Sequence, residues 1–138
     1  MDLLRIGIDN TVAPTRRPGS EKKRVLLIGH HNIFRQALAL TLERELGVRV
    51  VVQTASFDEV LDKASEGFDI AVVDLSLPDG DGAELVAALR RANRRASVLA
   101  LTRRHQRERH ARAFEAGADE VVRKTASARE IISAIGNL

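Results

Sequence analysis

The stretch FDIAVVDLSLPDGDG, residues 68–82, restricts the possible folds more than any other part of the chain. Its apolar run Ile70–Val73 is continuous rather than alternating, as in a strand buried on both faces, and it ends in a lone Asp74. Such a strand delivers a carboxylate to the edge of a covered sheet. Pro78, Gly80 and Gly82 then break the pattern, and Asp81 with Glu84 three residues on makes an N-cap and capping-box pair that opens a helix.

The same punctuation recurs along the chain. VLLI at 25–28 reads as a short buried strand, Gly29–Asn32 as its turn, and Asn32 as the cap of a helix running to about Leu46 with Phe34, Leu38 and Leu42 on its inner face. Gly47 stops that helix. Val48–Gln53 is a second strand, and Ser56 with Glu59 caps a helix whose Val60, Leu61 and Ala64 face inward. The strand Asp69–Asp74 comes third, followed by a helix carrying Leu85, Val86 and Leu89. Val98–Leu101 is a fourth strand ending at Thr102. The next helix, about Gln106–Ala116, has Ala111 and Phe114 as its inward candidates. Glu120–Arg123 is a weak fifth strand leading to Lys124, and Ser127 with Glu130 caps a last helix bearing Ala128, Ile131, Ile132 and Ile135. Strict alternation of strands and helices with short connections implies parallel pairing through right-handed crossovers. The expected fold is therefore α/β, a doubly wound five-stranded parallel sheet with five helices over residues 25–138.

Residues 1–24 read as an arm or flexible linker, because Pro14, Pro18, Gly19 and the EKKR run follow only a short apolar pattern. They carry six Lys/Arg against three Asp/Glu, which is the whole net charge of +3, while residues 25–138 balance sixteen against sixteen. The balance fails locally: residues 85–112 hold nine Arg (90, 91, 94, 95, 103, 104, 107, 109 and 112) and only Glu108 as an acid. A solvated surface is the plain reading, and a patch for an acidic partner or nucleic acid is the alternative. The chain has no cysteine, which excludes disulfides, thiolate metal sites and a Cys nucleophile. No apolar run approaches a membrane span, and MDLLRIGIDN lacks the pattern of a signal peptide, so no membrane partner and a cytoplasmic location are expected.

In doubly wound sheets the site lies beyond the carboxyl ends of the strands. That rule selects Gly29, His30 and His31 after the first strand, Asp74 after the third, Thr102 after the fourth and Lys124 after the fifth. A carboxylate, a hydroxyl and an ammonium converging there suit an anionic oxygen group. His30 and His31 invite a transition-metal reading, since imidazole suits zinc, nickel or copper better than magnesium. Against it, consecutive residues are expected to point in different directions, and His30 with Asp74 supplies too few ligands. Asp79, Asp81 and Glu84 do not make a calcium loop, and there is no GxxxxGK, serine elbow or zinc-protease motif, so no enzyme is expected.

These residues resemble the receiver domain of two-component response regulators over about 25–138. The matching parts are the strand VVD ending in Asp74 with LSLPDGDG after it, the strand VLALT ending in Thr102, and EAGADEVVRK ending in Lys124. The helix start HHNIFRQAL looks like the branch with a LuxR-type helix-turn-helix output. The resemblance implies a flavodoxin-like receiver fold, an aspartate at Asp74 that accepts a phosphoryl group from a histidine kinase in a phosphorelay, and Thr102 and Lys124 as ligands of the phosphoryl oxygens. It also implies dimerisation through the face of the fourth helix, fifth strand and fifth helix, and a DNA-binding output domain outside this chain that controls transcription.

Two departures change the expectation. The family holds magnesium with two acids after its first strand, where this chain has Gly29 and His30. Magnesium wants hard oxygen ligands, so its binding should be weak or absent and no cofactor is expected. The family's switch aromatic corresponds to Val121, and the residue after the lysine is Thr125. The reading is an atypical receiver that works through protein contacts, with an Asp74–Lys124 ion pair in its pocket and no ordinary magnesium-dependent phosphorylation. A conventional phosphoacceptor and a small-molecule or transition-metal sensor are the alternatives. Interface candidates are Arg103, Arg104, Arg107 and Arg112 facing Asp119, Glu120 and Glu130.

Overall fold

The computed structural model describes residues 22–76, 81–103, 107–124, 126 and 128–138. The arm up to residue 21, the loop positions Pro78 and Gly80, and Arg104, His105, Thr125 and Ser127 lie outside the described residues. The elements alternate as expected: β1 Arg24–Ile28, α1 Asn32–Leu46, β2 Arg49–Thr54, α2 Phe57–Ala64, β3 Ile70–Asp74, α3 Gly82–Ala92, β4 Ser97–Thr102, α4 Arg107–Ala116, β5 Glu120–Arg123 and α5 Ala128–Gly136. The five strands form one sheet in the order β2-β1-β3-β4-β5, every pair parallel. The order reverses between β1 and β3, which opens a crevice at their carboxyl ends.

Two-residue alternation along the central strands divides the core into two layers. Leu26, Ile28, Ala71, Val73, Val98 and Ala100 meet Val60 and Ala64 of α2, Leu85, Val86 and Leu89 of α3, and Ala113 of α4. Val25, Leu27, Ile70, Val72, Leu99 and Leu101 meet Leu38, Ala39 and Leu42 of α1 and Ile131 and Ile135 of α5. Both sheet faces are covered, which is why these strands are apolar throughout. Each large aliphatic side chain buried in this way contributes about 1.5–3 kcal/mol of transfer free energy.

The helix caps show how local sequence fixes the boundaries. Gly47 closes α1 in the left-handed region at φ 63°. Asp81 caps α3 by accepting from Ala83 N at 2.9 Å. Gly82 is required by close approach: a Cβ there would lie 2.6 Å from Leu75 Cα, on the strand-to-loop junction of β3. Ser56 caps α2 through Glu59 N, but the reciprocal bond of a capping box is replaced, because Glu59 takes the Thr54 hydroxyl and Ser56 N donates to Thr54 Oγ1. At α1 the cap position falls to His31, with no side-chain cap bond, and Asn32 is the first helical residue.

In three helices the inward assignments differ from the periodicity. Leu61 of α2 is exposed, and in α4 Ala113 is the buried residue while Ala111 and Phe114 face outward. Ala128 of α5 is exposed and Ile132 only half-buried. These helices are short or poor in apolar residues, so one turn of ambiguity in phase is not resolved by the pattern alone.

Candidate functional site

Asp74, Thr102 and Lys124 come together because β3, β4 and β5 lie side by side in register: Asp74 pairs with Leu101, and Thr102 with Arg123. Asp74 and Thr102 are almost fully buried, at 1% and 2% exposure. Lys124 follows β5 directly, and its backbone N–H donates to Thr102 O at 2.7 Å, which pins the start of its side chain beside β4. The Lys124 ammonium then reaches Asp74 Oδ2 at 2.7 Å. The other carboxylate oxygen, Oδ1, accepts from Ser76 N at 2.9 Å. Both oxygens of the carboxylate therefore have donors within the chain.

The β1 side of the pocket is built differently. Gly29 N bonds Thr54 O at 3.0 Å, and Gly29 O accepts from Arg35 Nη1, so the turn after β1 is held from both β2 and α1. A Cβ at Gly29 would meet only Asp74 Cβ at 3.7 Å and Oδ2 at 3.8 Å, which is ordinary contact. The place where a side chain would approach Asp74 is thus open. His30 follows at a bend, with Nδ1 3.8 Å from Asp74 Oδ2 and without a hydrogen-bond partner although that atom is buried. His31 Nδ1 lies 2.6 Å from Lys124 Nζ. An ammonium can only donate, so His31 Nδ1 is the acceptor and the ring carries its proton on Nε2. The Lys124 charge, with burial and His30 adding to it, holds the His31 pKa below its ordinary value of 6.5, while Asp74 opposes the shift. Phe34 of α1 lies under the same ammonium, 5.1 Å from ring centroid to Nζ.

The two histidines do not point apart. Their ring centroids are 3.9 Å from each other and tilted by 39°. The alternation of side-chain direction belongs to an extended strand. Here the chain bends at His30 and enters a helix after His31, which turns both rings toward Asp74. One potential ligand atom from each of His30, His31 and Asp74 lies within 4.8 Å of the others.

Magnesium, the ion the fold family implies, does not fit this donor set. Gly29 supplies no side-chain ligand, His30 and His31 supply nitrogen rather than oxygen, and the one carboxylate is bonded to an ammonium. Val121, expected at the switch position, packs half-buried against the α2–α3–α4 layer of the core.

The arginine-rich segment is less uniform than its composition. Arg90 is an internal clamp: Nε and Nη2 donate to Gly117 O, Nη1 to the carbonyls of Arg94 and Ala96, and Nη2 to Asp119 at 2.8 Å. Asp119 also accepts from Val98 N at 2.7 Å. Arg112 pairs with Asp81 at the start of α3, and Arg109 reaches Leu75 O at 3.3 Å. Arg103 and Arg107 are exposed, as are Glu120 and Glu130, with Glu120 Oε1 accepting from Val121 N. Arg104 lies outside the described residues. The structural role of Arg90 carries no local sequence signal, since its partners are 4 to 29 residues away.

The profile of the response regulator receiver domain matches residues 25–136. The response regulator protein VraR of Staphylococcus aureus is 31% identical over 113 residues, covering 81% of this chain and 54% of the relative. The chain thus spans about half the length of the curated relatives it matches. Among solved structures, a CheY-like receiver domain protein from Methanospirillum hungatei superposes with a TM-score of 0.79 at 26% identity, over 85% of this chain and 93% of that one. A LuxR-family two-component response regulator from Aurantimonas gives 0.77 at 31% identity, over 85% and 84%. A Burkholderia pseudomallei response regulator, solved with a phosphorylated aspartic acid, calcium ion and citrate, gives 0.74 at 32% identity, over 83% and 66%. With the sheet order, the buried carboxylate and the lysine that meets it already in place, these matches establish that the chain belongs to the response regulator receiver domain family, a signalling module of two-component systems.

Proposed function

We propose that this chain is an atypical receiver domain, one whose pocket is kept as structure and which signals through protein contacts rather than through magnesium-dependent phosphorylation of Asp74. The observation that carries this reading is the bonding of Asp74: Oδ2 is held by Lys124 and Oδ1 by Ser76 N, with glycine and histidine where two acids would hold the metal. Phosphoryl transfer is catalysed mainly by positioning and charge neutralisation. Here a single ammonium is left to offset the repulsion between a carboxylate and an incoming phosphoryl group, and it is already paired. The switch is reduced as well, since Val121 has no ring to move between buried and exposed positions.

The output of such a module is a surface. The face of α4, β5 and α5 serves as a homodimer interface in this reading, with Arg103 and Arg107 exposed on one side and Glu120 and Glu130 on the other, so that one patch can meet itself across a two-fold axis. Arg112 and Asp119 contribute less, because each is bonded within the chain. Likeness to a LuxR-family regulator and to relatives of which the matched part is only 54% supports a transcription-controlling output domain as the partner.

Acetyl phosphate with magnesium, read by intact mass with Asp74→Ala as control, tests the pocket. The atypical reading expects no adduct. An Asp74-dependent adduct supports the conventional phosphoacceptor instead, the state recorded for the Burkholderia regulator. Arg107→Glu with Glu120 left intact should move the sedimentation mass toward monomer, and an unchanged mass removes the interface.

A further inference from the structure

The side of the pocket that has lost its acids has gained two imidazoles, and their placement is that of a ligand set. We propose that His30, His31 and Asp74 form a binding site for a borderline divalent transition ion of the zinc class. The proposal rests on the reading above that magnesium no longer occupies this pocket.

Three observations lead to it. His30 Nδ1 is buried and unpartnered, although a buried polar atom of a native protein normally has a partner. It stands 3.8 Å from Asp74 Oδ2, too far for a hydrogen bond and near the spacing of two ligands on a shared ion. The stacked approach of His30 and His31 puts two nitrogens and one carboxylate oxygen within 4.8 Å of one another. Two imidazoles, one carboxylate and a fourth position open to water are a donor set that zinc accepts at about 2.0–2.2 Å. A hard ion such as magnesium would gain little from two of the three.

A further observation is what stands among those ligands now. The Lys124 ammonium is bonded to Asp74 Oδ2 at 2.7 Å and to His31 Nδ1 at 2.6 Å, two of the three proposed ligand atoms. The cluster therefore already holds a cation. Metal entry is an exchange of one cation for another: the ammonium leaves, His31 turns its Nδ1 lone pair from Nζ to the ion, and the set closes from 4.8 Å to the roughly 3.4 Å that such bond lengths allow around a tetrahedral centre. His31 is exposed and His30 half-exposed, so the closing movement falls on side chains of a loop and not on β3. Lys124 is the residue displaced, and it adjoins β5, one element of the proposed interface. The same exchange thus offers a route from ion to surface.

The test uses the full chain without a polyhistidine tag, titrated with zinc against a chromophoric chelator, with magnesium in parallel. The expected result is one zinc per chain that excess magnesium does not displace. His30→Ala and His31→Ala should each weaken it at least about 10-fold, the lower end of what even an indirect partner of a metal is worth. Lys124→Ala should tighten it, because the competing ammonium is gone; a misfolded variant could only weaken it, so this arm remains decisive if the histidine variants are unstable. No stoichiometric zinc, affinity unmoved in both histidine variants, or weaker binding in a Lys124→Ala chain that keeps the circular dichroism and unfolding midpoint of the unaltered chain overturns the site. The two readings fail separately: a magnesium-dependent Asp74 adduct refutes the proposed function, whereas a silent zinc titration with no adduct refutes the site alone.

Discussion

The two halves of the pocket share one sheet edge and differ in chemistry. At the ends of β3, β4 and β5 stand Asp74, Thr102 and Lys124, the carboxylate, hydroxyl and ammonium expected there from the sequence. At the end of β1, a few ångströms away, stand Gly29 and His30 instead of the two acids expected from the resemblance. The backbone of both halves is equally well supported: Gly29 is tied to Thr54 and Arg35, and Lys124 to Thr102. The difference lies in side chains alone. On the proposed reading, the fold keeps the site's geometry, set by register and crossovers, while the identity of one dipeptide removes the charge that its chemistry needs.

The largest effect is expected from making the halves alike. Gly29→Asp with His30→Asp restores two carboxylates, and the open contacts at Gly29 leave room for the first. Magnesium-dependent labelling of Asp74 by acetyl phosphate should rise by at least about 100-fold, the scale of one electrostatic element of a catalytic site. Labelling no better than that of the unaltered chain would show that something other than the acids disables the pocket.

A smaller effect separates the pocket from its frame. Arg90→Ala removes a half-buried guanidinium from the carbonyls of Gly117, Arg94 and Ala96 and from Asp119. The expected loss is about 1–2 kcal/mol in urea unfolding, as for a charged donor whose removal leaves partly buried acceptors unmet. A loss near zero would return Arg90 to the solvated surface. The smallest effect is in pH. His31 has its pKa lowered on folding, so between 6.5 and that lower value the unfolded chain binds more protons, and stability falls as pH drops through this window. In metal-free protein, His31→Gln should flatten that part of the stability profile. An unchanged slope would mean that Lys124 and His31 are not coupled.

The frame was legible from sequence because burial on both faces and glycine stops leave clear marks. The runs before Asp74 and Thr102 could only be central strands, and the alternation fixed their parallel pairing. The phases of α2 and α4 were not legible: in a ten-residue helix such as RERHARAFEA, Ala113 and Phe114 compete for one inward position, and Ala113 takes it while Phe114 stays exposed. The site was half legible. Asp74, Thr102 and Lys124 follow from strand ends, but the joint approach of His30 and His31 depends on a bend that periodicity does not record. The clamp of Arg90 depends on contacts with the α3–β4 and α4–β5 turns, so composition assigned it to a surface patch.

The central claim is that Asp74 is bonded into the structure rather than poised for chemistry. Incubating the full chain with acetyl phosphate and magnesium and weighing it intact tests this directly. The expected mass is that of the unmodified chain, identical to that of a sample without donor; the gain of one phosphoryl group, lost in Asp74→Ala, would overturn the atypical reading.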